Sequence, residues 1–142
     1  MNEASVIALQ NYFETLTLES VASLGEYYSI DAYFKDPFNE VRGIGEIERV
    51  FHHMFATLEA PQFVIQEIWP KDASAIFLWE FRFFFRDKTL SPQQHFTGMS
   101  LLRFAADGKV IHHRDYWDAA EEIYEKFPLL GSTLRWIKRR MR

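Results

Sequence analysis

The chain has 142 residues, no cysteine, 16 Lys and Arg against 20 Asp and Glu, and a formal net charge of −4. That length suits one domain over 1–142 with a sizeable core, and the missing thiols exclude a disulfide framework, a thiol nucleophile and a thiolate metal site. The negative balance argues against general nucleic-acid binding, which relies on positive charge clustered over the contact face.

Residues 1–5 lack a basic stretch leading into an apolar run, and no segment is apolar for long enough to span a bilayer. No secretory signal and no stable membrane insertion are therefore expected, and the location is read as cytoplasmic. Aromatic residues make up 17%, including 14 Phe. Such an excess either packs a small core or lines a cavity for a flat, apolar ligand.

Val6, Ile7, Leu9, Tyr12, Phe13 and Leu16 recur near helical spacing and predict a first helix over residues 4–16. Thr17 or Ser20 suits the cap of a second short helix, with Val21, Leu24, Tyr27 and Tyr28 on its apolar side. Residues 31–36 read as a short strand and 39–45 as a turn. A third helix follows over 44–58, with Ile47, Val50, Phe51, Met54 and Phe55 on one face; Pro61 is expected to stop that region.

The second half changes period. Residues 63–69 read as a strand and Pro70-Lys71-Asp72 as a turn. From 74 to 86 the odd positions are Ala75, Phe77, Trp79, Phe81, Phe83 and Phe85, an almost wholly aromatic strand face opposite a mixed one. A loop over 87–92, a strand over 94–104, the Asp107-Gly108 hairpin signal and a last strand over 110–117 complete the sheet. Asp118 with Glu121 has the form of a capping box for a helix through Lys126. Pro128 and Gly131 are expected to break it, with a final helix from Ser132. Helices followed by long antiparallel strands give α+β, with three N-terminal helices on the aromatic face. The mixed face, carrying Leu78, Phe84, Met99 and Leu101 among charges, suits a homodimer through the sheet.

Two residues stand out for chemistry in the first half. Asp36 ends an apolar strand just before Pro37, and Tyr12 precedes it by 24 residues on the first helix. A carboxylate desolvated by apolar walls becomes a stronger base, and a buried phenol can donate to a developing oxyanion. The competing reading of Asp36 is an Asx turn, which would satisfy the carboxylate with backbone N–H groups. That of Tyr12 is an ordinary core aromatic. The chain has five histidines. His52 and His53 point about 100° apart on a helix and cannot share a metal, and no metal-ligand spacing occurs, so neither metal nor other cofactor is expected.

This order of elements resembles the nuclear transport factor 2-like superfamily, and within it the ketosteroid isomerase and SnoaL-like polyketide cyclase branch. The resemblance covers about residues 5–118, with 119–142 as a helical extension. It is carried by Gln10-Asn11-Tyr12 with Phe34-Lys35-Asp36-Pro37, and by the hairpin Leu101–Val110. It implies a cone-shaped α+β fold, Tyr12 as an oxyanion-hole tyrosine and Asp36 as a general base. In that register Ser100 replaces the isomerase's second oxyanion-hole group, a neutral carboxylic acid, a departure that counts against steroid isomerisation.

The same register sends His113, Asp115 and Trp117 inward. Asp115 then matches the acid/base aspartate that cyclases place on a late strand, with His113 able to shuttle a proton. A buried ion pair of Asp115 with Arg82, Arg103 or Arg114 is the competing arrangement. Trp79, Phe81 and Phe83 would line the cavity with Ser100 and Trp117. The implied function is cofactor-independent proton transfer on a small hydrophobic carbonyl compound, by isomerisation, cyclisation or dehydration. The alternative is a non-catalytic binder of such a ligand. The tail carries Arg135, Lys138, Arg139, Arg140 and Arg142 beside Leu134, Ile137 and Met141. It reads either as a helix packed on the body or as a basic amphipathic surface.

Overall fold

The computed structural model describes residues 3–86 and 92–142. Its centre is a curved six-strand sheet in the order β2-β1-β6-β5-β4-β3. The strands are β1 (Tyr28–Lys35), β2 (Glu40–Arg42), β3 (Leu58–Lys71), β4 (Ser74–Phe85), β5 (Gln94–Phe104) and β6 (Val110–Tyr116). All neighbours run antiparallel except β1 and β6, which are parallel. Helices α1 (Glu3–Glu14) and α2 (Ile44–Thr57), with a 3₁₀ turn (Ser20–Glu26), cover one sheet face. The second expected helix is thus a 3₁₀ segment, and Tyr28 already belongs to β1 rather than to that segment's apolar side. A short helix α3 (Ala119–Glu122), a 3₁₀ turn (Tyr124–Lys126) and α4 (Pro128–Arg140) follow the sheet.

The alternation read from the sequence is what builds the core. Ala75, Phe77, Trp79, Phe81 and Phe83 are all buried against the helices, while Ile76 and Phe84 on the other face stay exposed. Phe13 of α1 meets Phe77 edge-on, with ring centroids 6.5 Å apart, so the aromatic strand face and the first helix share one core. Gly43, at φ +98°, turns the chain into α2, a backbone geometry that side-chain-bearing residues rarely adopt.

Two prolines behave differently from expectation. Pro61 does not end its segment, because β3 is an edge strand and its register shifts between Glu59 and Gln62. At such an irregularity a missing N–H costs no ladder bond. Pro128 starts α4 instead of breaking a helix, the first helical position being one where no N–H is needed. Strand β3 also runs on through Pro70 to Lys71, leaving the reversal to Asp72, at φ 52°, and Ala73. The loop expected over 87–92 lies, apart from Pro92, outside the described residues.

Gly98 is the tightest point of the sheet. It stands directly opposite Trp79, and any Cβ there would collide with the indole ring. Gly98→Val should destabilise the fold by about 1–3 kcal/mol through overpacking. Urea denaturation followed by far-UV circular dichroism would measure this; unchanged stability would mean the indole has another place to go.

Candidate functional site

The site is a product of strand register. Ser100 lies directly opposite Asp115, and Leu102 opposite His113, in the β5–β6 ladder. In the β4–β5 ladder Trp79 lies opposite Gly98, two residues before Ser100. Alternation then gathers Trp79, Ser100, His113 and Asp115 on the helix-covered face. Because Gly98 has no side chain, the Trp79 indole lies across it and its Nε1–H reaches the diagonal neighbour, Ser100 Oγ, at 2.8 Å.

The polar groups form one chain. Ser100 Oγ is 2.5 Å from Asp115 Oδ1, and His113 Nε2 is 2.6 Å from the same oxygen. His113 Nδ1 is 2.6 Å from the Tyr28 hydroxyl. The proton positions follow from the two ends. Indole N–H can only donate, so Ser100 accepts from Trp79 and gives its own proton to Asp115. Tyr28 is fully buried and His113 Nδ1 is its hydroxyl's hydrogen-bond partner, so the phenol donates and Nδ1 accepts. The ring proton of His113 is thereby placed on Nε2, pointing at the carboxylate. Burial, with Asp115's charge second, holds the Tyr28 hydroxyl well above its ordinary value, which keeps it a neutral donor.

Both bonds to Asp115 end on Oδ1. Oδ2 takes part in neither, and the side chain keeps 15% of its exposure, against 4% for His113. A carboxylate held by one oxygen with the other uncommitted has an oriented lone pair for an incoming proton. Phe34 and Phe13 stand edge-on to His113 at centroid distances of 4.8 and 5.7 Å, so the dyad lies among rings.

In front of it is a cavity of about 20 Å³, room for roughly one water. Phe13, Phe51, Phe63, Ile65 and Phe77 form its apolar wall, and Trp79, Ser100, His113 and Asp115 the remainder. Asp115 also borders an open groove of about 540 Å³ beside Pro37, Arg114 and Trp117. It is the residue common to the interior and the outside groove.

Of the residues singled out from sequence, His113, Asp115, Ser100 and Trp79 come together. Arginine takes no part in holding Asp115; its partners are His113 and Ser100. Trp117 stacks on Phe96 at 4.5 Å and lines the groove rather than the cavity. Phe81 and Phe83 are buried further along β4, stacked at 5.2 Å, and do not border the cavity.

Tyr12 and Asp36 stand apart. The Tyr12 hydroxyl donates to the Ser20 carbonyl at 2.8 Å, and its ring stacks on Tyr27 at 4.2 Å. A phenol so committed is a core aromatic with its hydroxyl satisfied, and burial raises its pKa further. Asp36 Oδ1 accepts from the backbone N–H of Phe38 at 2.8 Å and of Asn39 at 2.6 Å, closing the β1–β2 turn. Burial raises its carboxyl above the usual value, outweighing these bonds, with a smaller push from Asp115.

Tyr28 is the functional candidate that sequence reasoning missed. Adjacent to Tyr27, it read as one of a run of apolar residues, and only the parallel pairing of β1 with β6 brings it beside His113. Phe13, Phe51 and Phe63 were legible as core, but nothing in their spacing marked them as cavity wall. Tyr28→Phe should cost about 1–3 kcal/mol, because His113 Nδ1 loses its donor in a dry setting. Denaturation curves would read the loss, and ¹⁵N NMR would show the His113 Nδ1 resonance shift as that nitrogen loses its donor, the proton staying on Nε2 toward Asp115. A variant of wild-type stability with an unchanged Nδ1 resonance would remove Tyr28 from the network.

The SnoaL-like domain profile matches residues 9–113. Among curated proteins none matches the chain in sequence. Solved structures show the same fold at low identity. TsrD from Streptomyces laurentii is 17% identical, with a TM-score of 0.74 over 93% of this chain and 98% of that one. A putative SnoaL-like polyketide cyclase from Jannaschia sp. is 15% identical, with a TM-score of 0.68 over 82% and 87%. An LEH-like epoxide hydrolase of M. tuberculosis is 15% identical, with a TM-score of 0.66 over 95% and 90%. With the match running from α1 to β6, this chain belongs to the SnoaL-like domain family.

Proposed function

We propose that the protein is a cofactor-independent acid/base enzyme acting on a small hydrophobic carbonyl compound, with Asp115 as the proton carrier. The observation that supports this reading is the one-sided holding of Asp115: two hydrogen bonds on Oδ1, none on Oδ2, at the wall of an aromatic cavity. In this reading Oδ2 takes a proton from the carbon next to the carbonyl. Returning it at a second carbon isomerises the substrate; expulsion of a leaving group after abstraction eliminates. His113 and Ser100 hold the carboxylate through Oδ1 and stabilise its anionic form before the transfer.

Substrate enters from the groove beside Trp117 and displaces the rings that close the interior. The rings must move, because the cavity of about 20 Å³ admits only a water as it stands. The second reading, a ligand-binding protein without turnover, requires the same displacement of the rings.

The test is deuterium exchange at the acidic α-carbon of a probe ketone such as β-tetralone in D₂O, followed by NMR. Exchange above buffer, reduced about 10²–10⁴-fold in Asp115→Asn, supports the enzyme. Binding of the ketone without exchange supports the second reading. Exchange that Asp115→Asn leaves unchanged would take Asp115 out of the mechanism.

The outer sheet face supports a homodimer. Trp69, Ile76 and Leu101 align across three strands, and Leu78, Met99 and Tyr116 align beside them. Most of these side chains are exposed, a continuous apolar patch of the kind monomers avoid. Met99→Glu, in its middle, should convert a dimer to a monomer in light scattering; a monomeric wild type would overturn the assignment.

A further inference from the structure

The helix α4 is mounted with its polar side toward the body and its apolar side toward solvent. Its support is the 3₁₀ turn Tyr124–Lys126, against which it chiefly packs. Gly131 sits on the Glu125 carbonyl, where a Cβ would collide. Arg135 donates to that carbonyl at 3.1 Å, and Lys138 pairs with the Glu125 carboxylate at 3.2 Å. Positions 131, 135 and 138 therefore define the inner side.

At 100° per residue, Leu129, Trp136 and Ile137 fall on the opposite side. They are exposed: Leu129 at 86%, Trp136 at 54% and Ile137 at 44%, with Met141 at 82% just beyond the helix. Arg140 reaches over the Trp136 ring at 5.3 Å and so places a charge among these apolar side chains. Residues 127–142 hold five of the chain's 16 Lys and Arg and none of its 20 Asp and Glu. The rest of the chain carries 11 basic against 20 acidic residues, so positive charge is concentrated on the segment that presents these apolar side chains.

We propose that this face docks the protein on an anionic lipid surface, with α4 lying in the plane of the interface. Leu129, Ile137 and Met141 enter the boundary between headgroups and acyl chains, and Trp136 takes the interfacial position that indole rings favour. Arg140 meets lipid phosphate on this face; Arg139 and Arg142 border the groove on the inner side that Glu125, Arg135 and Lys138 also line, and Lys138 and Arg135 fasten the helix to the domain. A second copy of the chain, carrying the same excess of positive charge on this helix, fits it less well than a surface of negative charge does. The helix lies beyond the residues matched by the family profile, so the docking is a property of this chain's extension.

The test is sedimentation of the full chain with vesicles of phosphatidylcholine, with and without phosphatidylglycerol, at low and high salt. Pelleting is expected only with phosphatidylglycerol and should weaken at high salt. Arg140→Gln, which removes the cation on this face, should lower binding about fivefold. Ile137→Asp should abolish it, with the thermal transition of the domain unchanged. The proposal is overturned if the wild type fails to pellet with anionic vesicles. It is equally overturned if Ile137→Asp shifts the chain to a smaller oligomer in light scattering, which would assign the face to a second copy.

Discussion

A carboxylate placed among phenylalanine rings costs several kcal/mol unless hydrogen bonds accompany it inward. In this fold that constraint falls on Asp115. Its companions come from three other strands and are placed by register: Ser100 directly across the ladder, Trp79 behind Ser100, and Tyr28 behind His113. Each group in the chain satisfies the next, and among the described residues Asp115 Oδ2 is left outside the network. The aromatic excess and the polar cluster are therefore one arrangement. The rings exclude water from the carboxylate, and the hydrogen bonds permit the carboxylate to stay there. Gly98 belongs to the same arrangement, because without its bare backbone the indole could not lie flat and reach Ser100.

The fold was largely legible because its signals were periodic. The twofold alternation from Ala75 to Phe83 named the buried face, and the Asp107-Gly108 turn named the last hairpin. Prolines misled where their effect depends on tertiary position. Pro61 lies on an edge strand and Pro128 at a helix start, and neither location can be read from neighbouring residues. The second helix is a 3₁₀ segment that ends at Glu26, and Tyr28 begins the first strand.

The site was legible in part. His113 and Asp115, two apart on one strand, had to share a face, and Ser100 followed from the hairpin register. Tyr12 and Asp36 carried the strongest resemblance, yet local bonds to Ser20 and Asn39 occupy them. Such bonds depend on where a neighbouring backbone group happens to lie, which sequence spacing does not specify. Tyr28 was hidden for the opposite reason: its partner is far along the chain, and a parallel strand pair leaves no local signature.

That separation has a kinetic side. Tyr28 and His113 are 85 residues apart, and the bond between them spans the pairing that joins the first strand to the last. Loop-closure entropy delays such pairings until the intervening hairpins have formed. The bonds of Asp115 to Ser100 and His113 need only the β5–β6 hairpin, whereas the bond of His113 to Tyr28 needs the first strand as well. The proton network is thus completed by a pairing of large sequence separation, the kind whose closure costs the most chain entropy.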